Sequence, residues 1–256
     1  MRTTADSYPI PLTADVDERD YTEKRPVPSE VLVSFLAPGS YAADQYRALR
    51  HTVERVHADG KQVLAVTSPG AGDGKSVTSL NLAGALAQRA DARVIVLDAD
   101  LRKPNVAAYL GWPAACEPGL VDALSENGEI DASRFVRAVA GFNLSVFPAG
   151  APQQSPYELL SSPRFESVIA ELRRSYDYVI VDAPPFVPLP DCRLIERCVD
   201  GFVIVVAAHK TPRPLFFELL DLIDPAKISA VVFNGDDRPA SSYYGYSGYY
   251  GTSRRS

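Results

Sequence analysis

Residues 62–83 read QVLAVTSPGAGDGKSVTSLNLA and decide the fold that we expect for the whole chain. An apolar run at residues 63–66 gives way to a glycine-rich turn, and Lys75 and Ser76 then open a segment with helical periodicity. Glycines let consecutive backbone N–H groups approach phosphate oxygens closely, and the start of a helix adds the positive end of its dipole. The order of strand, glycine-rich loop and helix therefore predicts a phosphate-binding loop.

Within this loop, Lys75 is placed to reach the β and γ phosphates of a nucleotide, and Ser76 to offer its hydroxyl to Mg²⁺. The match to G-x-x-x-x-G-K-[ST] is a variant, because Pro69 stands five residues before Gly74 and the first glycine comes one residue later. A glycine-rich loop that only starts a helix is the alternative. The predicted nucleotide-binding residues of the loop are Gly70, Ala71, Gly72, Asp73, Gly74, Lys75, Ser76 and Val77.

Length and composition allow one substantial α/β core. The chain has 256 residues, 46% of them hydrophobic, so we expect a single domain with tails. A formal net charge of -6 and a pI of about 5.2 provide no overall positive field, and nucleic acid is not an expected partner.

Residues 1–26 carry charges throughout without an apolar signal region, and later apolar runs such as residues 201–208 are too short to cross a bilayer. We therefore expect a cytoplasmic protein with no direct membrane insertion. Cys116, Cys192 and Cys198 form no C-x-x-C pair, which argues against a disulfide framework or a zinc site.

Two further apolar runs end in carboxylates. Residues 93–97, RVIVL, are followed by DADLRKP, which contains Asp98 and Asp100, and residues 176–182 read YDYVIVD and end at Asp182. The carboxyl ends of strands in open α/β sheets are where ligands bind, and carboxylates beside a phosphate site suit Mg²⁺. Aspartates that cap a following helix are the alternative for the first pair.

The last two expected strands are residues 200–206 and 230–234. Asn234, at the end of the final strand, could reach an adenine base, although a turn-forming asparagine is the alternative. Alternation of strands and helices predicts an α/β fold with a doubly wound, mostly parallel sheet and helices on both faces, as in P-loop NTPases.

The segments around this core divide the chain into three parts. We expect a flexible lead at residues 1–39, a domain at residues 40–238 and a flexible tail at residues 239–256. The domain opens with a helix, residues 40–56, on which Tyr46, Leu49, Val53 and Val56 share one face and Asp44, Arg47 and Arg50 recur every three residues. The alternative for those charges is a solvated helix face.

Residues 241–256 read SSYYGYSGYYGTSRRS, a glycine- and serine-spaced run with five of the 13 tyrosines of the chain. They are Tyr243, Tyr244, Tyr246, Tyr249 and Tyr250. On composition alone, an adhesive low-complexity tail is the alternative to a functional one.

Together these segments resemble the bacterial tyrosine kinases that control capsule and exopolysaccharide synthesis, a group of deviant Walker ATPases. The similar elements are TSPGAGDGKS, VIVLDADLRKP as the Walker A′ motif, YDYVIVDAPP as Walker B, and the tyrosine tail. The family usually has P-G-E-G-K-S where this chain has residues 71–76, AGDGKS, and neither replacement removes a phosphate ligand.

The resemblance implies an ATP-dependent protein-tyrosine autokinase with catalytic residues Lys75, Asp98, Asp100 and Asp182. Ser76, Asp98 and Asp182 would hold Mg²⁺, and Asp98 would help to deprotonate the incoming tyrosine. Asp44, Arg47 and Arg50 are similar to the oligomerisation motif E-x-x-R-x-x-R, with Asp in place of Glu, and the five tail tyrosines match the autophosphorylation cluster. The implied partners are further copies in a ring, a membrane polysaccharide co-polymerase that activates the kinase at the inner face of the membrane, and a tyrosine phosphatase.

Two other functions remain open at this point. One is a P-loop ATPase that regulates polysaccharide export without kinase activity. The other is a partition or septum-placement ATPase on the same fold, whose loop carries a signature lysine at the position that Gly70 occupies here.

Overall fold

The computed structural model describes residues 28–56, 58, 62–113 and 117–236. The tyrosine-rich tail, Cys116 and residues 1–27 lie outside the described residues. The strands are β1 (Gln62–Thr67), β2 (Val94–Asp98), β3 (Arg137–Ala138), β4 (Leu144–Phe147), β5 (Tyr178–Asp182), β6 (Gly201–Ala207) and β7 (Ile228–Asn234). The helices are α1 (Val33–Leu36), α2 (Tyr41–Val56), α3 (Lys75–Leu86), α4 (Val106–Tyr109), α5 (Leu120–Ser125), α6 (Tyr157–Ser161), α7 (Pro163–Ser175), α8 (Asp191–Glu196) and α9 (Arg213–Leu222).

The strands form one sheet in the order β3-β4-β2-β5-β1-β6-β7. All neighbours pair in parallel except β3, which is antiparallel to β4. The expected mostly parallel, doubly wound sheet is confirmed. Because β1 is central and its successor β2 lies beyond β5, the carboxyl ends of β1, β2 and β5 meet at one edge, where such sheets bind ligands.

Alternate strand residues face two hydrophobic layers, as expected for strands buried on both faces. Val63 and Ala65 of β1 face the layer that α5 to α9 cover, whereas Leu64 and Val66 face the layer that α1 to α4 cover. In the described part of the chain, no helix combines the length and the hydrophobicity needed to span a bilayer.

The start of the domain differs from the expectation. Residues 28–39 were expected within the flexible lead, but Leu32 is fully buried and α1 packs against α3. The amide of Asn81 in α3 explains this docking, because its oxygen accepts the Ser34 N–H at 2.9 Å and its nitrogen donates to the Val31 carbonyl at 3.0 Å. Asn81, a polar residue among the apolar residues of α3, thus fixes the position of the segment around α1.

The inner face of α2 is also shorter than expected. Val53 is fully buried and Leu49 is partly buried against the core, whereas Val56, at the end of the helix, is 51% exposed. The expected apolar face is therefore wrong at Val56, because the core ends one turn earlier.

Candidate active site

The phosphate loop connects β1 to α3, as expected from the sequence. Gly74 is the N-cap of α3 and has φ +100°, a left-handed conformation that glycine adopts readily. The next two residues, Lys75 and Ser76, begin the helix and are each only 8% exposed. The loop therefore presents the start of a 12-residue helix, the end that favours anions, toward the carboxyl edge of the sheet.

Side chains within the loop fold its backbone. The Asp73 carboxylate accepts the Gly70 N–H at 3.2 Å, and the Ser68 hydroxyl donates to the Gly70 carbonyl at 2.5 Å. Asp73 is 2% exposed. Its carboxylate therefore helps to fix the backbone of the loop.

The three predicted carboxylates lie beside the loop. Asp98 and Asp182 are register partners at the ends of the neighbouring strands β2 and β5, and Val66 of β1 is the partner of Asp182 on its other side. Asp100 follows two residues after β2, and its Oδ2 lies 4.0 Å from Nζ of Lys75. The structure thus brings Lys75, Asp98, Asp100 and Asp182 together at one end of the sheet.

Burial dominates the electrostatics of these carboxylates. Burial, with the neighbouring Asp182 charge, raises the pKa of Asp98 well above its usual range. Burial also raises the pKa of Asp182 to about 6, although Lys75 and a hydrogen bond from Ser76 oppose the shift. The pKa of Asp100 is raised by burial as well, and the nearby Lys75 ammonium opposes that rise. The site therefore has more negative charge than its own lysine compensates.

Asp98 and Asp182 each have one carboxylate oxygen with a hydrogen-bond partner and one without. Asp98 Oδ2 accepts the Val106 N–H at 3.1 Å, and Asp182 Oδ1 lies 3.0 Å from the Ser79 hydroxyl. Asp98 Oδ1 and Asp182 Oδ2 are buried with no hydrogen-bond partner among the described residues. Unpaired buried carboxylate oxygens are costly, so they mark a place where a cation or a proton stabilises the site.

The donor set fits a magnesium ion that other groups help to hold. In the described ranges, no cluster of three or more His, Cys, Asp or Glu side chains could hold a metal alone. Mg²⁺ prefers oxygen ligands and usually keeps several waters beside one or two carboxylates and substrate phosphates. Asp98, Asp182 and the Ser76 hydroxyl match that incomplete set.

Three features of the site were not expected from the sequence. Ser79 contacts Asp182, and the Lys210 ammonium donates to the Gly72 carbonyl at 2.8 Å. Arg102 Nε lies 2.6 Å from the buried carboxylate of Asp191, which fixes the segment after β2 against α8. A lysine three residues after β6, the strand next to β1, was the available sequence signal for Lys210, since strand ends meet at the site.

Asn234 ends β7 beside the loop, but its amide nitrogen donates to the Asp73 carbonyl at 2.9 Å. The contact with adenine stays a prediction.

In the expected oligomerisation motif, Arg47 pairs with Asp44 and lies 3.3 Å from the Gln88 side chain, while Arg50 donates to the Ala85 carbonyl at 3.0 Å. Both arginines thus contact α2 or the end of α3 within their own chain.

Comparison with known proteins places this site in a family. The model of the family described as "AAA domain" matches residues 61–208. Tyrosine-protein kinase YwqD of Bacillus subtilis is 30% identical over 220 residues, which are 85% of this chain and 91% of YwqD. The succinoglycan biosynthesis transport protein ExoP of Rhizobium meliloti is 30% identical over 207 residues, which are 78% of this chain but only 26% of ExoP.

A solved structure agrees with this likeness. The kinase domain of the Escherichia coli tyrosine kinase ETK superposes with a TM-score of 0.75 and 25% identity, covering 93% of each chain. The residues that the family model matches, 61–208, contain the phosphate loop and the three carboxylates Asp98, Asp100 and Asp182. The chain therefore belongs to the bacterial tyrosine-kinase family.

Proposed function

We propose that this tyrosine kinase transfers the γ-phosphate of ATP, with Mg²⁺, to the tyrosines of its own C-terminal tail. The observation that carries the proposal is the meeting of Lys75, at the start of α3, with three buried carboxylates at the ends of β2 and β5. Phosphoryl transfer depends mainly on positioning and on neutralising charge, and this set of groups supplies both.

Each residue has a distinct role in the proposed reaction. The loop N–H groups and Lys75 bind the phosphates, while Ser76, Asp98 and Asp182 hold Mg²⁺, which would neutralise charge on the γ-phosphate. The tyrosine oxygen forms a bond to the γ-phosphorus as the bond to the bridging oxygen of ADP breaks. We assign Asp98 as the group that accepts the phenolic proton, as the general base of the transfer.

The proposed acceptors are Tyr243, Tyr244, Tyr246, Tyr249 and Tyr250, which lie outside the described residues. Asn234 ends β7 beside the phosphate loop, and Tyr243 follows nine residues later, within a reach of about 30 Å in an extended chain. A tail tethered to the same core is a poor substrate for its own site if it cannot bend back, whereas the tail of a neighbouring copy can be held near that site. We therefore place the transfer in trans, between copies held at high effective concentration.

A ring of copies would hold tail and site together. Arg47 and Arg50 lie on α2, with Arg50 between Glu54 and the Ala85 carbonyl. Each phosphate that the tail gains adds about -1.5 to -2 charges, which would repel neighbouring tails and weaken the ring.

The cellular role that we propose is control of exopolysaccharide or capsule polymerisation and export. ExoP, a relative by sequence, is named for succinoglycan biosynthesis and transport. We propose that a membrane polysaccharide co-polymerase with a cytoplasmic segment activates the kinase at the inner face of the membrane, and that a tyrosine phosphatase reverses its reaction.

A mixing experiment tests both the kinase activity and its direction. Lys75→Met should abolish phosphotyrosine formation, because the β and γ phosphates lose their side-chain ligand. In the mixture, the Lys75→Met variant with its intact tail is the substrate, and a second variant with an intact site and all five tail tyrosines changed to Phe is the enzyme. With Mg-ATP, the tail of the Lys75→Met variant should become phosphorylated. Mass spectrometry of the tail peptides reads the result. An unmodified tail in the mixture, with phosphorylation of wild-type protein alone, contradicts transfer in trans. A wild-type tail that stays unmodified even when the cytoplasmic segment of the activating co-polymerase is added favours the non-kinase regulator.

The buried carboxylates predict an unusual pH dependence of stability. Asp98 has a higher pKa in the folded protein than in the unfolded chain, so the folded state binds its proton more tightly and stability falls as pH rises from about 4. Asp98→Asn removes the charge, and at pH 7.5 without Mg²⁺ or nucleotide it should raise the free energy of unfolding. The gain should shrink at pH 5. Urea unfolding at both pH values measures it.

The matched control is Asp91→Asn. The Asp91 side chain is exposed, and its hydrogen bond from Arg89 lowers the pKa of that carboxyl, so no stabilisation is expected. A loss of stability in Asp98→Asn at pH 7.5, or a gain that does not change with pH, would show that Asp98 carries no unfavourable buried charge.

The ring is tested by particle size. Arg47→Ala combined with Arg50→Ala should give smaller particles by light scattering, while Arg134→Ala, which removes an exposed ion pair with Glu126, should not. Because both α2 arginines also make contacts within their own chain, melting temperatures are measured in parallel. A lower melting temperature without a change in size would assign the arginines to the fold alone.

A further inference from the structure

Two side chains from outside the phosphate loop bind consecutive carbonyl groups of that loop. Lys210 Nζ donates to the Gly72 carbonyl at 2.8 Å, and Asn234 Nδ2 donates to the Asp73 carbonyl at 2.9 Å. Lys210 follows β6 and Asn234 ends β7, so both come from the side of the sheet opposite Asp98 and Asp182 relative to β1. We call Lys210 and Asn234 the outer clamp.

The clamp has a consequence for the opposite side of the loop. A peptide bond is planar and trans, so its carbonyl and the following N–H point in opposite directions. Because Lys210 holds the Gly72 carbonyl, the N–H of Asp73 points away from the clamp. Because Asn234 holds the Asp73 carbonyl, the N–H of Gly74 also points away from the clamp. These N–H groups are of the kind that cradle phosphate oxygens.

The turn that carries Lys210 is firmly held. The Ala208 N–H donates to the Asn234 carbonyl at 2.7 Å, and the Ala207 N–H donates to the Thr211 hydroxyl at 2.9 Å. His209 has φ +61°, which is uncommon for a residue other than glycine. A backbone in this conformation persists where its surroundings fix it, and such residues cluster at functional sites.

The glycines of the loop make room for the clamp. A Cβ atom on Gly72 would come within 2.7 Å of Lys210 Nζ, and one on Gly74 within 2.0 Å of Asn234 Nδ2. Both glycines also have positive φ, +79° and +100°. The loop sequence therefore fits the clamp on its outer side as well as a phosphate on its inner side.

We propose that Lys210 is a positioning residue for nucleotide binding: with Asn234 it fixes the carbonyls of Gly72 and Asp73 outward, which orders the loop before the phosphates arrive. This inference rests on the proposed function, because it takes the loop to be the phosphate site. Lys210 acts through the loop backbone, whereas Lys75 contacts the phosphates.

The test compares Lys210→Met and Lys210→Arg with wild-type protein. Lys210→Met should weaken the binding of Mg-ADP and Mg-ATP alike by about 3- to 10-fold, as expected for loss of one charged hydrogen bond at an exposed site. Lys210→Arg, which keeps a donor and the charge, should restore most of the affinity. In autophosphorylation, KM for ATP should rise by a similar factor while kcat at saturating ATP stays within about twofold, because the lost contact assists binding and the transition state equally.

Hydrogen exchange separates positioning from direct phosphate contact. Without nucleotide, the backbone amides of residues 70–76 should exchange faster in Lys210→Met than in wild-type protein. The reason is that the Gly72 carbonyl loses its hydrogen bond from Lys210, so the loop is less ordered. Unchanged exchange together with weaker binding would overturn the positioning role in favour of a direct contact with phosphate.

Lys227→Met is the matched control, because Lys227 also donates to a backbone carbonyl, that of Glu196, but at the opposite end of β7. It should leave nucleotide affinity unchanged. If wild-type protein binds Mg-ADP and Lys210→Met binds it equally well, the inference on Lys210 is wrong while the proposed function stands. Failure of wild-type protein to bind any nucleotide would instead remove the proposed function.

Discussion

Two carboxylates buried side by side impose the constraint on which the site depends. Asp98 and Asp182 are register partners on adjacent parallel strands, each almost fully buried and each with one oxygen that has no partner in the described structure. Isolated buried charges of one sign are strongly unfavourable, so this arrangement is stable only with a proton or a cation between the strands. The fold thus places two carboxylates where their negative charges are unfavourable, and a bound magnesium nucleotide would compensate those charges.

The rest of the site surrounds these two carboxylates with groups that carry a positive charge or a partial positive charge. Lys75 supplies one positive charge near Asp100, the start of α3 adds a helix dipole, and the loop presents backbone N–H groups. On the outer side, Lys210 and Asn234 hold the loop carbonyls. Binding, charge compensation and loop order therefore come from different strands that end at the same edge of the sheet.

The sequence predicted those parts of the site that depend on strand ends. Apolar runs that stop at Asp98 and Asp182, and a glycine-rich turn before Lys75, can only meet at one edge in a parallel α/β sheet, and the structure brings them together. Contacts between distant side chains were not predictable, because periodicity gives the face of an element but not its partner. The docking of Leu32 through the Asn81 amide is one example, and the clamp by Lys210 is another.

Compositional signals were the weakest guide at the domain boundary. Residues 1–30 read as polar and proline-rich, and the expected lead was extended from them to residue 39. Residues 31–37, however, read VLVSFLA, and a short helix packs on α3 there with Leu32 and Phe35 buried. Asn234 shows a related limit: a side chain placed correctly at the strand end bonds the Asp73 carbonyl, a partner that no pattern in the sequence indicated.

We propose that Asp98 and Asp182 form a magnesium-dependent nucleotide site with Lys75, and calorimetric titration of ADP with and without Mg²⁺ tests this most directly. In wild-type protein, Mg²⁺ should tighten ADP binding by about tenfold or more, an effect of about 1.4 kcal/mol. In Asp182→Asn, the binding of ADP without Mg²⁺ should persist and the gain from Mg²⁺ should disappear. A full gain from Mg²⁺ in the Asp182→Asn variant would contradict the account.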